Sequence, residues 1–143
     1  MDIAATTSAK SPSVWRRVIA FVIALIAWVL VASVLNRLLR IGLPGYAAAE
    51  PGMDFTLSMQ WARLALGALA SISAGYILAR LAPNARSLPL ILGALLLATF
   101  LPVHYDVWNK FPIWYHLLFL LTIVPLVVVG ARMGAQKASV TES

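Results

Sequence analysis

Long apolar runs separated by short polar breaks dominate the chain. From Val18 to Leu35, only Ser33 interrupts eighteen otherwise apolar residues. A helix needs roughly 20 such residues to cross a bilayer core of about 30 Å. With no water to bond them, the backbone amides must pair within the segment, which forces a helix. The run predicts a first span over about 18–38, with Arg37 and Arg40 carrying the helix into the headgroup zone. A second span is predicted over 57–82, capped at its start by Asp54 or Thr56 and stopped by Pro83 and Asn84. A third covers 88–105, with Pro102 loosening its far end, and a fourth covers 112–132, opening on Pro112, a favoured first-turn residue. The connection between the first two spans holds Gly42, Pro44, Gly45, Pro51 and Gly52, so it must turn.

This pattern predicts an all-α, polytopic membrane protein: four transmembrane helices in an antiparallel up-down bundle over 14–133, between a disordered Ser/Thr/Ala-rich tail at 1–13 and a polar tail at 134–143. Composition agrees. Of 143 residues, 62% are hydrophobic and 11% charged, against about 25% charged in soluble domains. Arg16 and Arg17 precede the first span as in a signal peptide. That run, however, exceeds the roughly 7–15 residues of a signal h-region and no Ala-x-Ala site directly follows it, so a retained anchor fits better. A twin-arginine export signal suits folded soluble cargo, not a chain of spans.

Basic residues near span ends resist translocation and so set orientation. Lys10, Arg16, Arg17, Arg80, Arg86, Arg132 and Lys137 make seven on one side, against three, Arg37, Arg40 and Lys110, on the other. The seven mark the cytoplasmic side of an inner (plasma) membrane, with both termini cytoplasmic. Tyr105, Trp108, Trp114 and Tyr115, with Trp15 and Trp61, fit an aromatic belt at headgroup depth, whereas Trp28 lies deep in the first span. Basic side chains scattered at span ends speak against nucleic acid as a partner.

Lipid tails give apolar helices no hydrophobic reason to associate, so their interfaces favour small residues that let backbones approach. Gly67, Ser71 and Gly75 recur every fourth residue on the second span, and Gly130 and Gly134 share that spacing near the end of the fourth. Both are helix-packing faces, inside one bundle or between two copies. The segments Gly75 to Arg80 and Gly130 to Gln136 each end a span returning to the same side, a likeness too common at helix ends to establish duplication.

Side chains capable of chemistry gather on the opposite side. Gln60 and Arg63 lie a turn apart, and Arg63 continues the Gly67, Ser71, Gly75 line toward the other helices. His104 and Asp106 close the third span, and His116 lies about a turn inside the fourth. Gln60, Arg63, His104, Asp106 and His116 form the candidate ligand or proton site, with Arg63 and Asp106 its expected ion pair. Arg63 and Arg80 are seventeen residues apart, about 25 Å along a helix. Arg63 therefore sits near the far surface, where snorkelling competes with a binding role. Histidines at the rim predict hydrogen bonding at headgroup depth, not two haem ligands facing each other. No carboxylate cluster completes a metal set; neither cofactor nor metal is assigned.

The absence of cysteine removes thiol chemistry and disulfides. Ser33, Ser58, Ser71 and Ser73 lie on helices with no nucleophile elbow, and phosphate-binding glycine loops are missing. The first span lacks the buried acid of small four-helix drug exporters, and the spans lack the polar Arg, Asn and Glu set of four-helix glutathione and eicosanoid enzymes. The segment Trp108-Asn-Lys-Phe-Pro-Ile-Trp-Tyr-His-Leu-Leu-Phe-Leu120, followed by Pro125 and Gly130-Ala-Arg132, resembles the last helix of small uncharacterised four-helix bacterial inner-membrane proteins. That resemblance carries no known activity to these residues.

Two functional readings follow. The first is a non-enzymatic structural or accessory protein whose partners are the lipid bilayer and, through the small-residue faces, a second copy or a larger membrane complex. The second is a ligand, solute or proton site at the outer rim, built from Arg63, His104, Asp106 and His116.

Overall fold

A computed structural model describes residues 13–141. Within them the chain is all-helical: α1 (Val14–Gly42), α2 (Tyr46–Ala49), α3 (Leu57–Leu81), α4 (Leu88–Asp106) and α5 (Ile113–Thr141). Four of these, α1, α3, α4 and α5, are long and apolar enough to cross a membrane. The tail assigned to 1–13 lies outside the described residues except for Ser13, whose hydroxyl caps α1 by accepting from the Arg16 amide at 3.4 Å. Thr56 caps α3, accepting from the Met59 amide at 3.5 Å.

Two helices outrun expectation: α1 covers Val14–Gly42 where about 18–38 was expected, and α5 extends further still. The last helix does not stop near Arg132 but continues through Gly134 to Thr141. Glycine often ends a helix, but Gly134 is held in this one by packing. A Cβ there would fall on the Tyr76 carbonyl oxygen and 3.2 Å from the Ala79 Cβ, so the missing side chain admits the backbone of α3.

The same close approach runs along both helices. A Cβ on Gly75 would land on the Val127 carbonyl oxygen, one on Gly130 on the Ile72 carbonyl oxygen, and one on Gly67 would meet the Phe119 ring at 2.7 Å. All five packing residues therefore sit between helices of one chain. Ser71 is the polar member: its hydroxyl donates to the Gly67 carbonyl at 2.8 Å and accepts from Trp28 Nε1 at 3.1 Å. Trp28 thus ties α1 to α3 and meets the Phe100 ring of α4, tilted, at 5.0 Å.

Contacts between helices fix their relative register. Arg16 Nε reaches the Leu81 carbonyl at 3.2 Å, while Trp28 meets Ser71, so residue numbers on α1 and α3 run oppositely. Gly67 faces Phe119 and Gly134 faces Tyr76, so α3 and α5 rise together. Gly93 against Val124 and His104 against His116 oppose α4 and α5. Two ends result, one holding the starts of α1 and α4 (the terminal end) and one holding α2 and the α4–α5 loop (the α2 end). The mid-bundle core joins Ala20, Ala24, Ala74, Leu78, Leu92 and Val127. On α1 only Ala20 and Ala24 are buried, and its Ile19, Val29 and Leu30 lie open, a surface suited to hydrocarbon.

Candidate functional site

The α2 end owes its shape to the chain reversal after α1. Gly45 sits in the left-handed region at φ +80°, which glycine enters without a Cβ clash, and the following turn drives Tyr46 inward until it is 0% exposed. Its ring meets Phe55 at 5.2 Å, Phe55 stacks on Phe111 at 5.9 Å and Phe111 on Tyr115 at 4.5 Å. This aromatic column joins the first connection to the α4–α5 loop.

A polar network threads the column. The Tyr46 hydroxyl donates to Asn36 Oδ1 at 2.9 Å and accepts from Arg63 Nη1 at 2.8 Å. Asn36 Nδ2 donates to Glu50 Oε1 at 3.1 Å, and Arg40 Nε donates to Glu50 Oε2 at 2.5 Å. The Arg63 guanidinium lies 4.6 Å over the Phe55 ring with the Tyr115 phenol beside it, and its Nε–H is buried without an acceptor. Glu50 neutralises Arg40; among the described residues no carboxylate reaches Arg63.

The expected Arg63–Asp106 pair is therefore wrong. Asp106 ends α4 exposed, and among the described residues it makes no ion pair, because α4 leans on α5 while Arg63 is reached by the α2 segment. Gln60 does not join the network either. Its Nε2 donates to the Phe55 carbonyl at 3.1 Å and pins the connection, while its Oε1 is buried and unbonded.

The histidines also differ from the rim placement expected. His104 is 6% exposed and His116 0%, because the loop folds Trp108 and Phe111 over them; Trp108 stacks on His116 at 4.6 Å. Their Nδ1 atoms are 2.8 Å apart, and His116 Nε2 lies 3.3 Å from the Trp108 carbonyl. A carbonyl only accepts, so neutral His116 carries its proton on Nε2 and accepts at Nδ1 from His104. His104 Nε2 is left as an acceptor, and a proton taken there keeps both bonds intact. Direct contact of the two rings leaves no gap for a haem plane, and among the described residues no third His, Cys, Asp or Glu completes a metal set.

Enclosed by α1, α3, α5 and the α2 segment, with Phe100 alone from α4, a cavity of about 530 Å³ is lined by Arg40, Glu50, Arg63, Asn36 and Met53 toward the α2 end and by Trp28, Phe100 and Phe119 toward mid-bundle. Arg40 to Trp28 spans twelve residues, roughly 18 Å of helix. The cavity is therefore polar and net cationic at its mouth and aromatic at its base.

The hydrogen bond from Arg40 holds the Glu50 carboxyl below the usual carboxylate range, and burial pushes the Tyr46 phenol up. A carboxyl whose folded pKa lies below its unfolded value stabilises the fold above the unfolded value and loses that contribution as pH falls through the folded one. Thermal stability should thus decline below about pH 4.3, the usual Glu value, and Glu50→Gln should flatten that decline. A melting profile from pH 7 to pH 3 that is identical for both proteins would contradict this.

Asn36, Arg40, Tyr46 and Glu50 were not among the sequence candidates. Their signal was present: the sole acid in the first connection before Pro51 lies ten residues after Arg40 and across a Gly-Pro turn, a spacing that folds opposite charges together. No protein family matches this chain, and no curated protein or solved structure matches it either.

Proposed function

We propose that this protein is a multi-pass protein of the inner membrane, its helices inserted as an antiparallel up-down bundle with both termini cytoplasmic, that holds an acidic amphiphile in the cavity at its outer, α2 end. The observation carrying this reading is Arg63: a largely enclosed guanidinium with an unbonded Nε–H and, among the described residues, no carboxylate partner, inside a cavity whose far half is aromatic. An ionised group within a membrane-spanning helix is costly and is retained with a partner, and a carboxylate or phosphate supplies one through a charge-assisted bond. The cavity volume lies in the range of small-molecule sites, and its roughly 18 Å length suits a single acyl chain lying against Trp28 and Phe119. Orientation rests on the seven-to-three excess of basic residues at the terminal end.

Self-association through the small-residue faces receives no support, since Gly67, Ser71, Gly75, Gly130 and Gly134 are turned to neighbouring helices of the same chain.

Palmitate, added to the detergent-solubilised protein, should raise its melting temperature, and cetyl alcohol of the same chain length should not. Arg63→Gln should weaken palmitate binding at least about tenfold, the loss of one charge-assisted bond of about 1.5 kcal/mol or more. Equal stabilisation by acid and alcohol, or undiminished binding to Arg63→Gln, would end this reading.

A further inference from the structure

The terminal end carries a second cavity, of about 460 Å³, where the start of α4 diverges from α3 and α5. Its apolar walls include Leu78, Leu90 and Val128, and Arg86 and Arg132 also line it. Neither arginine makes an ion pair or side-chain hydrogen bond among the described residues, and all three described acids, Glu50, Asp54 and Asp106, lie at the α2 end. The cavity also takes in the first turn of α4. Ser87, at its N-cap, makes no side-chain capping bond, Pro89 lies in the first turn, and Pro89 and Leu90 both line the space. A helix start carries a partial positive charge, although here the Leu88 amide is taken by the Ala85 carbonyl at 3.1 Å and Pro89 has none to offer. Two guanidinium groups and the positive end of a nineteen-residue helix therefore converge on one apolar-walled space that no described acid reaches.

We infer that this cavity is a binding site for the phosphodiester of an acidic phospholipid from the surrounding leaflet, separate from the amphiphile site at the α2 end. Charge complementarity selects an anion, since the two guanidinium groups and the positive end of the helix dipole all favour phosphate oxygens. The walls select a lipid over a free ion: Leu78, Leu90 and Val128 have no hydrogen bonds to offer a hydrated phosphate, whereas they cover an acyl chain. Basic pockets between helices at a membrane surface recognise acidic headgroups in this way. The zwitterionic headgroup of a choline lipid brings a cation toward the two arginines and is disfavoured.

The test is native mass spectrometry of the full chain titrated with phosphatidylglycerol, with phosphatidylcholine of the same acyl chains, and with inorganic phosphate. Phosphatidylglycerol should be retained selectively. R86Q/R132Q should lower its affinity about thirtyfold, as two charges near the surface at about 1 kcal/mol each require. Both side chains are exposed, so the double variant should melt like wild type. R80Q, which removes an exposed arginine at the same end that does not line the cavity, should leave binding unchanged. R63Q should also leave it unchanged, so failure here is distinguishable from failure at the α2-end cavity. Equal retention of the two lipids, wild-type affinity in R86Q/R132Q, or an equal loss in R80Q would overturn the inference. Displacement of the lipid by millimolar inorganic phosphate would reassign the site to a free anion and overturn it as a lipid site.

Discussion

Replacing Gly75 with alanine is expected to destabilise the protein by about 2–3 kcal/mol, the cost of forcing one carbon into a packed interior. The new Cβ falls on the Val127 carbonyl oxygen and within 3.0 Å of the Ala131 amide. Neither is a flexible side-chain tip, so α3 and α5 must separate along the stretch where Gly130 and Gly134 also meet α3. Gly130→Ala should behave alike, because its Cβ falls on the Ile72 carbonyl. The two substitutions open the same seam and should not add in full. Gly42→Ala is the control: nothing lies within 4 Å of a Cβ there, and its effect should stay within about 0.5 kcal/mol. Unfolding titrations in mixed micelles measure all three, and a Gly75→Ala protein as stable as Gly42→Ala would refute the close seam.

Tyr46→Ala should cost about 3–5 kcal/mol, as for other large buried aromatics. The ring is fully enclosed and stacks on Phe55, so truncation leaves a void beneath the column that carries Phe111 and Tyr115. Tyr46→Phe separates packing from polarity. It keeps the ring but leaves Asn36 Oδ1 and Arg63 Nη1 without their shared partner, an expected loss of about 1–3 kcal/mol. Under the amphiphile reading, a bound acid restores one of those bonds, so palmitate should stabilise Tyr46→Phe more than it stabilises wild type. Equal stability of Tyr46→Phe and wild type would mean that water or Tyr115 replaces the hydroxyl at no cost.

Much of this architecture was legible along the chain because the rules that govern it are local. Apolar run length located four long helices, Thr56 capped the third element where a hydroxyl stood before an apolar run, and the four-residue spacing of Gly67, Ser71 and Gly75 marked a face that one helical turn brings into line. Arg63 stood out for the same reason, as it extends that face. The end of α5 lies beyond the expected 132 because contact with the Tyr76 carbonyl on α3 keeps Gly134 helical, and that contact is not written in the residues near it.

The chemistry of the α2 end was less legible because it depends on which ends meet. Asp106 and Arg63 are both charged and both near one surface, which sequence can tell, but α4 leans on α5 and the α2 segment intervenes. The acid that enters the network is Glu50, with Arg40. Each histidine lies near a helix end, which taken alone places it at the rim. Only the folding of Trp108 and Phe111 over that end buries them and brings their Nδ1 atoms within 2.8 Å. Trp28 gave no sign of a partner 43 positions away on another helix.

By itself, then, the sequence determined the number, position and apolar character of the long helices and the residues through which backbones can approach closely, because backbone pairing and side-chain size act within a turn or along one helix. The tertiary structure alone decided which faces met and which charge was left unmatched. Among the described residues Arg63 reaches a phenol and no carboxylate, in a cavity enclosed by α1, α3, α5 and the α2 segment. Such pairings depend on helix register and loop path, which follow from packing summed over the whole bundle and leave no signature in any one segment.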